Sequence, residues 1–170
     1  MTTLARPSAN FLQSLSRSFT DWLSRSAVAG GDIGPVFRVE HASASLDSAR
    51  ASRLIRNGLR AGGVDELVDL FGLGKKEELS LALNANSTSL WRWARDDKPL
   101  PGATVEQILR AMHLQLFAAE VFGGVDAARR WLRKPHPSLD GMTPSAYADN
   151  EFGAQKVHGM LAGLKYGGVA

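Results

Sequence analysis

Side chains that can donate hydrogen bonds to phosphates or to base edges are concentrated within residues 86–98. They are one amide, three consecutive hydroxyls and three cations: Asn86, Ser87, Thr88, Ser89, Arg92, Arg95 and Lys98. Arginine can hold a guanine edge or a phosphate through paired donors, whereas serine and threonine contact either one with little selectivity. Four nearby acids, Glu77, Glu78, Asp96 and Asp97, oppose a phosphate surface. We predict that the polar set binds DNA.

The residues around this set have the pattern of a helix-turn-helix. Asn84 stands at the turn, where a left-handed residue is needed, and asparagine tolerates that conformation better than most non-glycine residues. Asn86 is predicted to cap the second helix by accepting from its free amides, and that helix would enter the major groove. The apolar positions that would hold both helices on the core are Leu79, Ala82, Leu83, Leu90 and Trp93. The alternative is a packed helix pair that never meets DNA.

Residues typical of catalytic or metal sites do not form a recognisable constellation. The four histidines, His41, His113, His136 and His158, lack metal-ligand spacing and a shared helical face. There is no cysteine, which excludes disulfides and thiolate metal sites. Nucleophile-elbow, zinc-protease and phosphate-loop motifs are missing as well. We therefore expect a protein that is not an enzyme and that uses no cofactor and no metal.

Charge is distributed unevenly along the chain. The 170 residues have a formal net charge of only +3, yet residues 1–60 carry eight arginines against four acids. This basic segment suits phosphate contact, and a solvated flexible tail explains it equally well. Residues 11–23 show helical apolar spacing, which favours a packing or partner-binding helix over a targeting or membrane-interface helix. No apolar run is long enough for a transmembrane helix, so we expect a cytoplasmic protein with no membrane partner.

The helical pattern continues from residue 48 to the C-terminal end. Helices are predicted over 48–59, 64–71, 75–83, 87–95, 102–122, 125–133, 144–149 and 151–165. Residues 36–40 could be a brief extended segment, but no later region shows strand alternation, so the predicted fold class is all-α. Proline and glycine clusters at 99–102 and 134–137 mark the clearest breaks. We predict an N-terminal arm of unknown role (1–47), a helix-turn-helix domain (48–115) and a small helical module (116–170).

The C-terminal module carries the most specific motifs. A helix ends in Trp131-Leu132, and prolines at 135 and 137 prevent its continuation. The segment 135–144 then has the form Pro-x-Pro-x-Leu-x-Gly-x-x-Pro, in which Thr143 and Pro144 can start a new helix. Asn150-Glu151-Phe152-Gly153 begins the last helix, and Tyr166-Gly167 follows near its end. Together with the helix-turn-helix, these motifs resemble the Xre/MbcA/ParS antitoxins over residues 52–170.

This resemblance implies a bacterial antitoxin that neutralises a RES-domain toxin, an enzyme that consumes NAD, or a related ADP-ribosyl-transferring toxin. It further implies that the antitoxin's C-terminal segment covers the toxin's active site. Carried over, the toxin-binding residues are Lys165, Tyr166, Gly167, Gly168, Val169 and Ala170. We further expect the protein to bind operator DNA and to repress its own operon. We also expect a homodimer that forms a larger assembly with the toxin. The alternative is a stand-alone helix-turn-helix regulator whose C-terminal module only dimerises.

Overall fold

The computed structural model of the chain describes residues 9–30 and 33–167. Within this part the chain is mostly helical, with one short hairpin. The elements are α1 (Ala9–Ser26), β1 (Phe37–Glu40), β2 (Ser43–Leu46), α2 (Ser48–Asn57), α3 (Glu66–Leu70), α4 (Lys76–Ala82), α5 (Ser87–Arg95), α6 (Gly102–Phe122), α7 (Val125–Leu132), α8 (Pro144–Tyr147) and α9 (Glu151–Tyr166), with a 3₁₀ turn at Pro137–Leu139. The predicted helices from residue 48 onward are therefore confirmed, with small differences at their ends.

The hairpin corrects the all-α prediction. The extended segment predicted at 36–40 is confirmed as β1, but β1 pairs antiparallel with β2, which the sequence did not indicate. The connecting residues His41 and Ala42 both have positive φ, 51° and 62°. Two-residue hairpin turns of this kind are normally signalled by Asn-Gly or Asp-Gly, and here that signal is missing.

Local capping explains where several helices begin. Asp47 accepts from the Arg50 amide at α2, and this backbone hydrogen bond is the main reason that the pKa of Asp47 is lowered. Thr143 accepts from the Ala146 amide at α8. Asn150 accepts from the Gly153 amide at α9. The predicted caps at Thr143 and Asn150 are thus confirmed, and each satisfies amides that have no partner inside their helix.

Helix α6 lies at the centre of a single apolar core. Val105, Ile108, Met112 and Leu116 on this helix have no exposed surface. α6 is packed against α1, α2, β2, α7 and α9. Because the middle of α6 contains the predicted boundary at 115/116, no linker separates the two predicted units there. The proposed division into units remains a prediction.

The segment predicted as an N-terminal arm contributes to the same core. In α1, Leu12, Phe19, Trp22 and Leu23 are almost fully buried, and the Trp22 indole donates to the Gly63 carbonyl at 2.7 Å. Phe19 packs edge-on against Phe37 and Phe71. The helix predicted over 11–23 is therefore confirmed as a packing helix.

Across the described residues no single helix is long and apolar enough to span a membrane. Helices α6 and α7 reach the necessary length and apolar composition only when taken together, and a bend of 116° lies between them.

Candidate functional site

The turn between α4 and α5 has the geometry that the sequence predicted. Asn84 adopts a positive φ of 46°, and the Ala85 amide donates to the Ser80 carbonyl at 2.9 Å. Asn86 accepts from the Ser89 amide at 3.0 Å, which confirms its role as the N-cap of α5. The buried residues Leu79, Leu83 and Leu90 hold both helices on the core. This pair of helices therefore presents one face of α5 outward.

The polar residues predicted to bind DNA are placed on or beside α5. Thr88, Arg92, Arg95 and Lys98 are exposed, as is Asn86, while Ser87 and Ser89 are half-buried. Arg95 and Lys98 both approach the Asp96 carboxylate, at 3.1 and 3.8 Å. The hydrogen bond from Arg95 is the main reason that the pKa of Asp96 is lowered. Arg92 makes no ion pair with a described residue, so its guanidinium is the most available of the three cations.

The last helix, α9, has two opposite faces. Ala154, Val157 and Leu161 are buried against α6 and its surroundings. Phe152 and Tyr166 are exposed by 85% and 75%, and they lie seven residues on either side of Gly159. Positions seven apart share a helical face. A Cβ at Gly159 would meet nothing within 4 Å, so this outer face of α9 (Phe152, Gly159 and Tyr166) is flat between two aromatic rings.

Lys165, one of the predicted toxin-binding residues, lies between α6 and the outer face of α9, with its Nζ atom 5.0 Å from the centroid of the Tyr166 ring. Its Nζ atom forms an ion pair with the buried Glu120 carboxylate on α6 and lies 5.9 Å from the Phe117 ring. The hydrogen bond with Glu120 is the main reason that the pKa of Lys165 is raised. The Lys165 ammonium is therefore engaged by Glu120 and by two aromatic rings, while its side chain stays partly exposed. Gly167 ends α9 with φ 75°, and the predicted residues Gly168, Val169 and Ala170 lie outside the described residues.

Side chains of α6 and α7 connect the α3–α4 region to the C-terminal module. Gln107 donates from its amide group to the Ala82 and Ala148 carbonyls, at 3.2 and 3.4 Å. The Leu70 carbonyl accepts from both Gln115 and Arg129, at 3.1 and 2.7 Å. These bonds occupy the carbonyls at the ends of α3 and α4 that have no partner inside their helices.

Two histidines that the sequence did not connect lie together between α6 and α9. The ring centroids of His113 and His158 are 5.1 Å apart, and His158 stacks on Phe117. Burial, with a contribution from His158, lowers the pKa of His113 to about 4, and burial also lowers the pKa of His158. The pair is therefore neutral at physiological pH. No group of three or more metal-ligating side chains occurs among the residues that the structure describes.

A groove of about 400 Å³ is lined by residues of α4, α6, α7 and α8. Its lining is largely apolar, and Leu81 at its edge is 77% exposed. The hydroxyl of Thr143, which faces the groove, is engaged as the cap of α8. The lining residues provide no nucleophile with an adjacent base. The groove is a surface depression whose chemistry suits contact with apolar groups.

The sequence missed three residues that define these surfaces. Phe152 appeared only as part of a helix-start motif, although its spacing of fourteen residues from Tyr166 places both rings on one face. Glu120 lies within an apolar helical segment, and the sequence did not indicate that its carboxylate is buried and paired with Lys165. Lys76 lies with its Nζ atom 5.2 Å from the Trp91 ring on α5, a contact that no local pattern indicates.

Comparison with known proteins identifies the C-terminal module. Residues 117–167 match the family model described as the antitoxin Xre/MbcA/ParS C-terminal toxin-binding domain. A curated relative, the antitoxin Xre of Pseudomonas putida, is 32% identical over 71 residues. This alignment covers 42% of the present chain and 45% of the relative, so the chain spans less than half of that protein's length. The predicted resemblance to the Xre/MbcA/ParS antitoxins is therefore confirmed, and residues 117–167 are the part of the chain that matches the toxin-binding domain of that family.

Proposed function

We propose that the chain is the antitoxin of a bacterial type II toxin–antitoxin system. In this proposal the C-terminal module neutralises a RES-domain toxin that consumes NAD, and the α4–α5 pair represses the operon by binding its operator. The observation that carries the proposal is the exposed outer face of α9, which lies within the segment that matches the toxin-binding family. The RES assignment rests on the family resemblance.

The chemistry of the outer face of α9 suits a protein partner. Aromatic side chains that become fully covered supply much of the binding energy in protein interfaces, and Phe152 and Tyr166 are 85% and 75% exposed on one face of the same helix. Gly159 between them allows the partner's backbone to approach closely. The proposed blocking segment, residues 165–170, continues from the same helix, and Tyr166 belongs to both.

The α4–α5 pair supports the DNA-binding part of the proposal. Arg92 on α5 is exposed without an ion pair to a described residue, and the hydroxyl of Thr88 near the start of the helix is exposed as well. One helix-turn-helix contacts only a few base pairs, so we propose a homodimer that binds half-sites about 34 Å apart. Because this homodimer would bind operator DNA, we propose that it acts in the cytoplasm, with or without bound toxin.

The test co-expresses the antitoxin with the toxin encoded next to it, and measures growth, intracellular NAD and the mass of the purified complex. Phe152→Ala and Gly159→Gln should each weaken protection and complex formation, because they remove an anchor or fill the flat face. Leu81→Ala, which removes a similarly exposed apolar side chain from α4 and not from α9, is the matched control. If both variants protect like wild type, the toxin binds elsewhere.

A second experiment removes Tyr166 through Ala170. We expect protection to be lost while the fold persists, because Tyr166 is exposed and the helix core lies before it. Tyr166→Ala should have a smaller effect, since an aromatic anchor contributes roughly 2 kcal/mol and the remaining backbone is retained. A folded, truncated protein that still protects would contradict the blocking-segment part of the proposal. Absence of any neighbouring toxin gene would favour the stand-alone regulator.

A further inference from the structure

A cluster of cations lies outside the polar face of α5 and the outer face of α9. It consists of six side chains from the α3–α4 loop, the start of α4, and α7 with the residue pair after it: Lys75, Lys76, Arg129, Arg130, Arg133 and Lys134. We call this set the basic edge. Four of the six, all from residues 129–134, surround an open depression of about 660 Å³ together with Gly72, Pro135 and Asp126.

Hydrogen bonds fix the two halves of the basic edge against each other. Arg133 donates to the Gly72 carbonyl at 2.7 Å, and Arg129 donates to the Leu70 carbonyl at the same distance. Gly72 has a φ of 63°, and Arg129 passes so close to it that a Cβ at this position would collide with the guanidinium. The α3–α4 loop is thereby held on α7, and only two residues separate Gly72 from Lys75.

One member of the basic edge, Lys76, contacts the predicted recognition helix. Lys76 lies over the ring of Trp91, with 5.2 Å between Nζ and the ring centroid, so α4 links the edge to α5. Arg130 and Lys134 are exposed, and neither makes an ion pair with a described residue. The acids nearby are Asp69, Asp126, Glu77 and Glu78; of these, Glu78 accepts from the Gly74 amide at 3.3 Å. Cations therefore outnumber acids along the edge.

We propose that the basic edge binds the sugar–phosphate backbone of DNA beside the segment contacted by α5, so that the C-terminal module contributes to DNA affinity directly. This inference rests on the proposed DNA-binding function. Phosphates are favoured over a protein partner because the edge presents cations, whereas the exposed aromatic anchors lie on α9. Backbone contacts of this kind position a protein on the duplex without reading its sequence.

The experiment measures binding to operator DNA and to a scrambled duplex of equal length by fluorescence anisotropy at several salt concentrations. The variant Arg130→Gln/Lys134→Gln removes two free cations; Arg17→Gln/Arg53→Gln removes two exposed arginines from α1 and α2 and is the matched control. We expect the edge variant to lose roughly tenfold affinity at low salt for both duplexes, with the salt slope reduced by about 1.8. The control should bind like wild type. Equal thermal unfolding of the variants checks that folding is unaffected.

Duplex length provides an independent readout. If the edge contacts phosphates outside the half-sites, trimming the operator to its half-sites should remove the difference between the edge variant and wild type. An edge variant that matches the control on long operator DNA overturns the inference, and loss of toxin binding alone would assign the edge to an acidic protein surface. The proposed function fails separately if wild type does not distinguish operator from scrambled duplex; an edge-dependent salt slope in that case would still support phosphate binding by the edge.

Discussion

The buried Glu120 carboxylate forms an ion pair with Lys165 and also binds strand β2. One oxygen receives the Lys165 ammonium at 2.5 Å, and the other accepts from the Ala44 amide at 3.0 Å. The Glu120 side chain is only 4% exposed, whereas that of Lys165 is 28% exposed. Glu120 on α6 therefore connects strand β2 with the last turn of α9, the turn that leads into the proposed blocking segment.

Replacing Lys165 should lower the stability of the protein more than neutralising Glu120. Lys165→Met leaves a buried carboxylate without its counter-charge, which we expect to lower the free energy of unfolding by about 2 kcal/mol. Glu120→Gln keeps an acceptor for the Ala44 amide and leaves only the partly exposed ammonium, so its loss should be about 1 kcal/mol. Adding Glu120→Gln to Lys165→Met should recover stability. Urea unfolding measures all three, and a Lys165→Met midpoint equal to that of wild type would contradict this role for the ion pair.

Two glycines of α9 should respond oppositely to alanine. A Cβ at Gly153 would collide with the Tyr147 carbonyl, whereas one at Gly159 would meet nothing. We expect Gly153→Ala to destabilise the protein by about 2 kcal/mol through backbone displacement. Gly159→Ala should stabilise it by about 1 kcal/mol, because glycine is a poor helix residue. Thermal unfolding of both variants measures this, and stabilisation by Gly153→Ala would show that the contact with Tyr147 is absent in solution.

The double variant Arg92→Ala/Arg95→Ala should lower operator affinity and reduce the salt dependence of binding (the slope of log K against log salt) by about 1.8. Each phosphate contact that is lost means that fewer counterions are released on binding. Discrimination between operator and scrambled DNA should also fall if either guanidinium contacts a base. Toxin neutralisation should remain, because neither residue lies on α9. The measurement is a salt titration of operator binding beside a growth assay. Wild-type affinity in the double variant would show that α5 is not the recognition helix.

Acid should destabilise the protein through His113. Its pKa is lowered from 6.5 to about 4 by burial and by His158, so the unfolded chain binds this proton more readily than the folded chain. The stabilising effect of keeping His113 neutral is complete above pH 6.5 and is lost as the pH falls toward 4, at a cost of about 3 kcal/mol. His113→Phe should flatten the dependence of unfolding free energy on pH in that window, with stability near pH 7.5 retained. An unchanged profile would mean that His113 does not titrate as the geometry indicates.

Local sequence signals determined most of the helical structure. Helix α5 begins after Asn86 because that side chain caps it, and Asn84 makes the preceding turn because asparagine accepts a positive φ. α6 has the bounds that its apolar pattern and the preceding prolines predicted. The ordered motifs of residues 131–167 were specific enough to indicate the family. In each case the information lies within a few residues, where backbone preferences and capping act.

Only the tertiary structure decided which distant residues meet. Glu120 and Lys165 are 45 residues apart, as are His113 and His158, and nothing in the residues around either member signals the other. The β1–β2 turn at His41 and Ala42 is held in an uncommon backbone conformation while the hairpin packs on α1 and α6, so a weak local preference was overridden. The exposure of Phe152 and the connection between Arg133 and Gly72 follow from how α9 and α7 pack. Such contacts depend on the summed burial of the whole core, which no single segment encodes.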